Sequence, residues 1–157
     1  MDRLLETFFN PEVMVTSAPY LVRGLWMTVR LCAVVIPLGM AAGLILATLH
    51  HLRHRWLNVL LIIYVDLFRA FPPLVLLIFV YYGLPYVGLV LSPFMAVTLA
   101  FMLNTSSYYG EILRAGIESI PHGQWEAARS TGLGRAQTMR YVILPQAVRS
   151  VLPDLVS

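Results

Sequence analysis

The feature that most limits what this chain can fold into is LWMTVRLCAVVIPLGMAAGLILATL, residues 25–49, an apolar run whose one charge is Arg30. A hydrocarbon core about 30 Å thick is crossed by about 20 mostly apolar residues in a helix, so this run predicts a membrane span. Arg30 lies near its outer end and can snorkel to the interface. Gly39 and Gly43 stand in a GxxxG spacing, which permits close helix approach but also arises by chance in a glycine-rich apolar run.

Two further runs follow. Residues 57–82, LNVLLIIYVDLFRAFPPLVLLIFVYY, can cross only if Asp66 and Arg69 go in with them, because neither flank is long enough alone. Intramembrane charge is costly and must face protein or water. Three residues apart, Asp66 and Arg69 share a helix face and are expected to pair. Pro72 and Pro73 come directly after and should kink or interrupt the helix, leaving carbonyls without their usual donors. Such backbone is tolerated at membrane depth only against protein or a wet cavity. The third run, residues 91–113, reads LSPFMAVTLAFMLNTSSYYGEIL. Its second half is polar and is expected to face a neighbouring helix or a cavity rather than lipid.

Composition agrees with a membrane protein. The chain is 59% hydrophobic and 12% charged with a mean hydropathy of +0.74, whereas soluble domains run nearer 25% charged. The net charge of +3 comes from arginine alone, since there is no lysine. Those arginines are scattered among apolar spans rather than gathered on a basic face, which argues against nucleic-acid binding. The amino terminus carries Asp2, Glu6 and Glu12 and lacks the pattern of a cleaved signal peptide. Cys32 is the single cysteine and cannot form a disulfide within the chain.

Arginine also orients the spans. The loop HHLRHRW carries Arg53 and Arg55, the loop GLPYVGLV carries none, and the stretch after the third span carries Arg129, Arg135, Arg140 and Arg149. By the positive-inside rule, the first and third of these face the cytoplasm and the amino terminus, residues 1–24, lies outside. His50 and His54 are four apart and would share a helix face suited to a metal, but no carboxylate or thiolate stands nearby to complete a site, and no metal is expected.

Residues 119–145 are too polar to cross. Pro121 suits a first helical position, QWEAARST supplies helix formers, and Gly132 with Gly134 supplies a stop. A second short helix is expected from about Arg135 to Ile143, ending before Pro145. On the first, Trp125 is expected to be exposed beside Ala128 and Arg129. A thin helix of this kind can dock in a groove of another protein or lie on the membrane surface, and local chemistry leaves both open.

The order of residues in this stretch is more specific. Glu126, Ala127 and Ala128, then three residues, Gly132, nine residues, Val142, one residue, and Leu144–Pro145 resemble the cytoplasmic signature of importer-type ABC permeases; isoleucine is usual where Val142 stands. The preceding YYGEILRAGIESIPHGQWEAA, with Glu111, Arg114, Gly116, Gly123 and Gln124, is similar to the polar amino acid subfamily. APYLVRGLWMTVRL and VDLFRAFPPLVLL resemble that subfamily's opening and second-span motifs. The resemblance covers residues 18–153.

That resemblance implies an all-α membrane protein, a permease subunit that imports polar amino acids from the periplasm across the inner membrane. It implies partners: a second permease subunit, alike or different, two ATPase subunits that hold ATP and magnesium, and a periplasmic solute-binding protein. Residues 119–145 would be the coupling segment, in which Gln124, Glu126, Ala127, Ala128, Arg129, Gly132, Leu144 and Pro145 serve the ATPase contact. Glu126 and Arg129 would make charged contacts, the two alanines would permit close approach, and Gly132 would allow the turn. No cofactor is expected in this chain: it has no GxxxxGK[ST] loop and no lysine to complete one. Asp66, Arg69, Asn104, Ser107 and Glu111 are candidates for the substrate path, with helix-to-helix bonding as their plainer role. Glu111 and Arg114 are expected to pair, as are Arg114 and Glu118. Family members have five core spans, and residues 146–157 read as the start of a fourth, so the chain reads as an amino-terminal fragment. The competing expectations are a self-sufficient channel or secondary transporter, and a small structural membrane protein.

Overall fold

The computed structural model describes residues 10–52 and 54–156. Asp2, Glu6 and Arg53, which entered the reading of the amino terminus and the orientation, lie outside them. The chain divides into two compact units, Met1–Val34 and Val35–Ser157. Among the described residues every regular element is helical.

Helix α1, Pro11–His50, begins in the first unit and ends in the second. It starts well before the apolar run, and local chemistry explains why. The Asn10 carboxamide oxygen accepts from the Glu12 and Val13 N–H groups at 3.0 and 3.3 Å. Asn as N-cap, Pro at the first position and an acid in the first turn form a start signal that the hydropathy pattern alone conceals.

In the second unit α1 buries Val35, Gly39, Gly43 and Ala47, one residue per turn. This stripe meets α4, Pro93–Ser119. A Cβ on Gly43 would stand 2.7 Å from the Tyr109 Cβ, and one on Gly39 would collide with the Thr105 hydroxyl. The GxxxG spacing is therefore a close helix contact. Small residues let the two backbones approach closely, so van der Waals contact holds α1 to α4 here.

Helix α2, Arg55–Ala70, stops at the two prolines. Helix α3 follows over Pro73–Ile78 and continues through a π turn, Phe79–Gly83, and a 3₁₀ turn, Leu84–Val87. The chain bends by 101° between α2 and this second part. Pro72 and Pro73 lack the N–H groups that would bond the Phe68 and Arg69 carbonyls, so the helix breaks there as the sequence predicts.

Helix α4 opens on an N-cap, the Ser92 hydroxyl accepting from the Met95 N–H at 3.3 Å. Among the described residues α1 is long and apolar enough to cross a membrane alone, and the broken α2–α3 pair meets the same standard when taken together. The 27-residue α4 has the length, but its polar second half keeps it below that degree of apolarity.

Helix α5, His122–Ser130, ends near Gly132, whose φ of 88° is the left-handed conformation that glycine adopts freely. Helix α6, Arg135–Thr138, then a π turn, Met139–Ile143, and α7, Leu144–Val156, follow without a break. The expected stop before Pro145 is thus corrected. The Leu144 N–H reaches the Met139 carbonyl five residues back. This wider turn lets the ladder pass a proline whose ring would clash with the carbonyl four residues back in a tight α-turn.

Two cores organise the second unit. Ala47, Leu113, Ile117, Ile143, Ala147 and Val151 join α1, α4 and α7 around the signature segment. Leu76, Val80, Ala96 and Ala100 join α3 to the first half of α4. Large apolar side chains such as Leu60, Ile63, Leu74, Phe79 and Tyr82 point outward, a distribution suited to lipid.

Candidate functional site

The polar residues of α2 and α4 singled out by the sequence separate into two groups. Asn104 and Ser107 are buried and occupied with the fold. The Asn104 Nδ2 donates to the Phe68 carbonyl at 2.9 Å, the very acceptor that Pro72 leaves without its helical donor. The Ser107 hydroxyl donates to the Asn104 carbonyl at 2.6 Å. Beside them the Tyr64 and Ser106 hydroxyls hydrogen-bond at 2.7 Å between α2 and α4. This tie was not foreseen, because a tyrosine in an apolar run carries no signal of its partner.

Asp66, Arg69 and Glu111 instead line a common cavity of about 300 Å³, walled by α1, α2 and α4, with His50 and Arg114 on its lining. That volume is at the lower end of ligand sites and suits a small molecule. The expected Asp66–Arg69 ion pair is not found among the described residues. The Arg69 guanidinium lies 5.1 Å from the centre of the Tyr108 ring, a cation–π contact to α4. Asp66 has no ion pair or hydrogen bond among the described residues, and it lies on the cavity lining. The other expected pairs are present: Arg114 forms a fork with Glu111 at 2.5 and 3.0 Å and reaches Glu118 at 2.7 Å.

The signature segment has an inner and an outer side. Ala128 is buried, and Trp125 is half-buried against the core of Leu113, Ile117 and Ile143. The expectation of an exposed Trp125 is corrected, since its ring also stacks on His51 at 4.6 Å with an interplanar angle of 18°. Gln124 accepts a long hydrogen bond from Gln146 of α7 at 3.4 Å. Glu126, Ala127 and Arg129 are exposed, and neither charge has a hydrogen bond or ion pair among the described residues. Leu144 is half-buried against the same core and Pro145 is exposed beside it.

Between the end of α1, α5 and α6 lies a groove of about 630 Å³, with Thr48, His51, Trp125, Glu126, Arg129 and Arg135 on its walls. Thr138, the last residue of α6, is fully buried and its hydroxyl oxygen has no partner among the described residues. The four-residue spacing of His50 and His54 does not produce a shared face, because α1 ends at His50 and His54 precedes α2. Among the described residues no group of three His, Cys, Asp or Glu side chains could hold a metal ion.

Comparison with known proteins agrees with this geometry. The "Probable amino-acid ABC transporter permease protein YckA" of Bacillus subtilis is 37% identical over 96% of this chain and 66% of its own length. The L-cystine transport system permease protein TcyB of the same organism is 38% identical over 87% of this chain and 58% of its own. Among solved structures, a chain from the crystal structure of an amino acid ABC transporter with histidines superposes with a TM-score of 0.78 at 38% identity, over 90% of this chain and 66% of that one. The chain thus spans about two thirds or less of the length of these relatives. Residues 37–157 match the model of the binding-protein-dependent transport system inner membrane component, and the chain belongs to that family.

Proposed function

We propose that the protein is the membrane-spanning permease subunit of an ABC importer for polar amino acids, driven by ATP hydrolysis on a separate subunit. The family membership and the amino-acid permeases among its relatives support this reading. The observation that carries it is the outer side of α5. Trp125 and Ala128 hold the helix to the core while Glu126, Ala127 and Arg129 stand outward, the two charges without partners among the described residues. A short helix anchored on one side and bearing exposed charges beside small residues is built to enter a cleft of another protein.

In this reading the chain sits in the inner membrane with its amino terminus periplasmic and α5 cytoplasmic. Residues 25–49, 57–82 and 91–113 cross, the second as the broken pair. A second permease subunit completes the pathway, two ATPase subunits seat the α5 helices, and a periplasmic binding protein delivers substrate. Closure of the ATPases on ATP draws the docked helices together and rocks the spans. Asp66, Arg69 and Glu111, which share one cavity, line the substrate path and suit a zwitterion that needs partners for both charges. Asn104 and Ser107 support that path by holding α2 and α4.

Glu126→Lys tests the proposal. ATP-driven uptake in vesicles should fall at least about a hundredfold, as expected when one partner of a close interfacial charge pair is reversed, while membrane insertion is unchanged. Normal uptake in this variant would overturn the docking role of α5.

A further inference from the structure

We propose that His51 is a positioning residue that transmits movement of α5 to the end of α1, through its stack on Trp125. The inference rests on the importer reading and names a relay which the signature itself does not contain.

The two rings are 4.6 Å apart and inclined by 18°, a stacked pair rather than a chance edge contact. His51 sits in the turn directly after α1, whose last helical residue is His50. The side chain is half-buried, and so is its partner. Trp125 lies on the inner side of α5 and also packs against the core that includes Ala47 of α1 and Ile143 of the π turn. A nine-residue helix that is polar on its outer side has few ways to pull on a span. This indole is where it meets both the core and the turn that ends α1. Directly above, Gly43 and Ala47 lock α1 onto α4 with almost no free space. A displacement of α5 applied through the stack is therefore passed to a rigid α1–α4 pair rather than absorbed by loose side chains. Those two helices carry His50 and Glu111 on the wall of the charged cavity.

The test uses the intact permease–ATPase complex from its own cell, reconstituted in vesicles with its binding protein. The readout is ATP hydrolysed per amino acid imported. His51→Ala should raise this ratio at least about threefold, in the range by which single residues alter coupling between sites. His51→Phe, which keeps a flat ring, should restore it. His51→Gln serves as a second non-stacking variant should the alanine form fail to assemble. A ratio unchanged in the non-stacking variants, or raised equally in His51→Phe, overturns the relay. No ATP-driven uptake by the wild-type complex overturns the importer reading and the relay together, whereas wild-type uptake with an unaltered variant ratio overturns the relay alone. The contact is checked separately in a Trp26→Phe, Trp56→Phe background, where Trp125 is the remaining indole of the chain's three. Its emission should change in His51→Ala, and constant emission would also overturn the proposal.

Discussion

The polar half of α4 and the polar outer side of α5 lie a few residues apart in sequence and put their polar groups to opposite uses. On α4, Asn104 holds a carbonyl of α2, Ser106 meets Tyr64, Ser107 bonds its own helix, and Glu111 is held by Arg114. On α5, Glu126 and Arg129 carry charge with no partner among the described residues. The difference follows from the surroundings. In a buried setting an unsatisfied polar group is expensive, so the fold pairs Asn104, Ser106 and Ser107 internally. At the aqueous boundary water satisfies them at little cost, and they stay available to another protein. Asp66 is the exception, a carboxylate on the cavity lining with no ion pair or hydrogen bond among the described residues, which is why that cavity and not the Asn104–Ser107 cluster is assigned to the path.

The largest stability effect should come from Asn104→Leu. It deprives the Phe68 carbonyl of the side-chain donor that, among the described residues, replaces the N–H missing at Pro72. An acceptor left unsatisfied in a buried site costs about 1–3 kcal/mol, so the thermal midpoint of the purified protein should fall clearly. An unchanged midpoint would mean that α2 and α3 are held at their break by something else, and the contrast between the helices would lose its strongest member.

A smaller loss is expected from Glu111→Gln. The Glu111–Arg114 fork is about one-third exposed on each side, and Arg114 keeps Glu118 as a second acceptor. An exposed pair of this kind contributes no more than about 1 kcal/mol. The same substitution removes a charge from the cavity wall, so uptake should fall by more than the midpoint shift accounts for. A loss of stability larger than that from Asn104→Leu would place Glu111 with the structural group instead.

Much of this contrast could be read from the residues. The polar second half of the third run, the break at Pro72–Pro73 and the Glu111–Arg114–Glu118 ladder follow from local spacing and from what proline lacks. The signature around Glu126 to Pro145 was legible as an ordered motif. What escaped depended on distant residues or on small geometric adjustments. Arg69 turns to Tyr108 rather than Asp66 because α4 presents an aromatic face within reach of the guanidinium. Trp125 turns inward because the end of α1 brings His51 against it. Pro145 does not end its helix because the π turn Met139–Ile143 precedes it. None of these has a signal within a window of a few residues, whereas each is plain once α1, α4 and α7 share a core.

The smallest stability effect, and the sharpest test of the comparison, belongs to Arg129→Ala. Arg129 is exposed on α5, donates no hydrogen bond among the described residues, and lies outside both cores. Surface substitutions away from caps and buried contacts usually stay within about 0.5 kcal/mol, so the thermal midpoint should not move measurably. If the charge is instead held ready for the ATPase, its loss should appear as weaker retention of that subunit during purification, and more so at higher ionic strength, where the remaining charged contacts are screened. A shifted midpoint with normal ATPase retention would show Arg129 to be engaged within the fold, like the polar groups of α4. An unmoved midpoint with weakened retention would separate the two helices by function as cleanly as their surroundings separate them by chemistry.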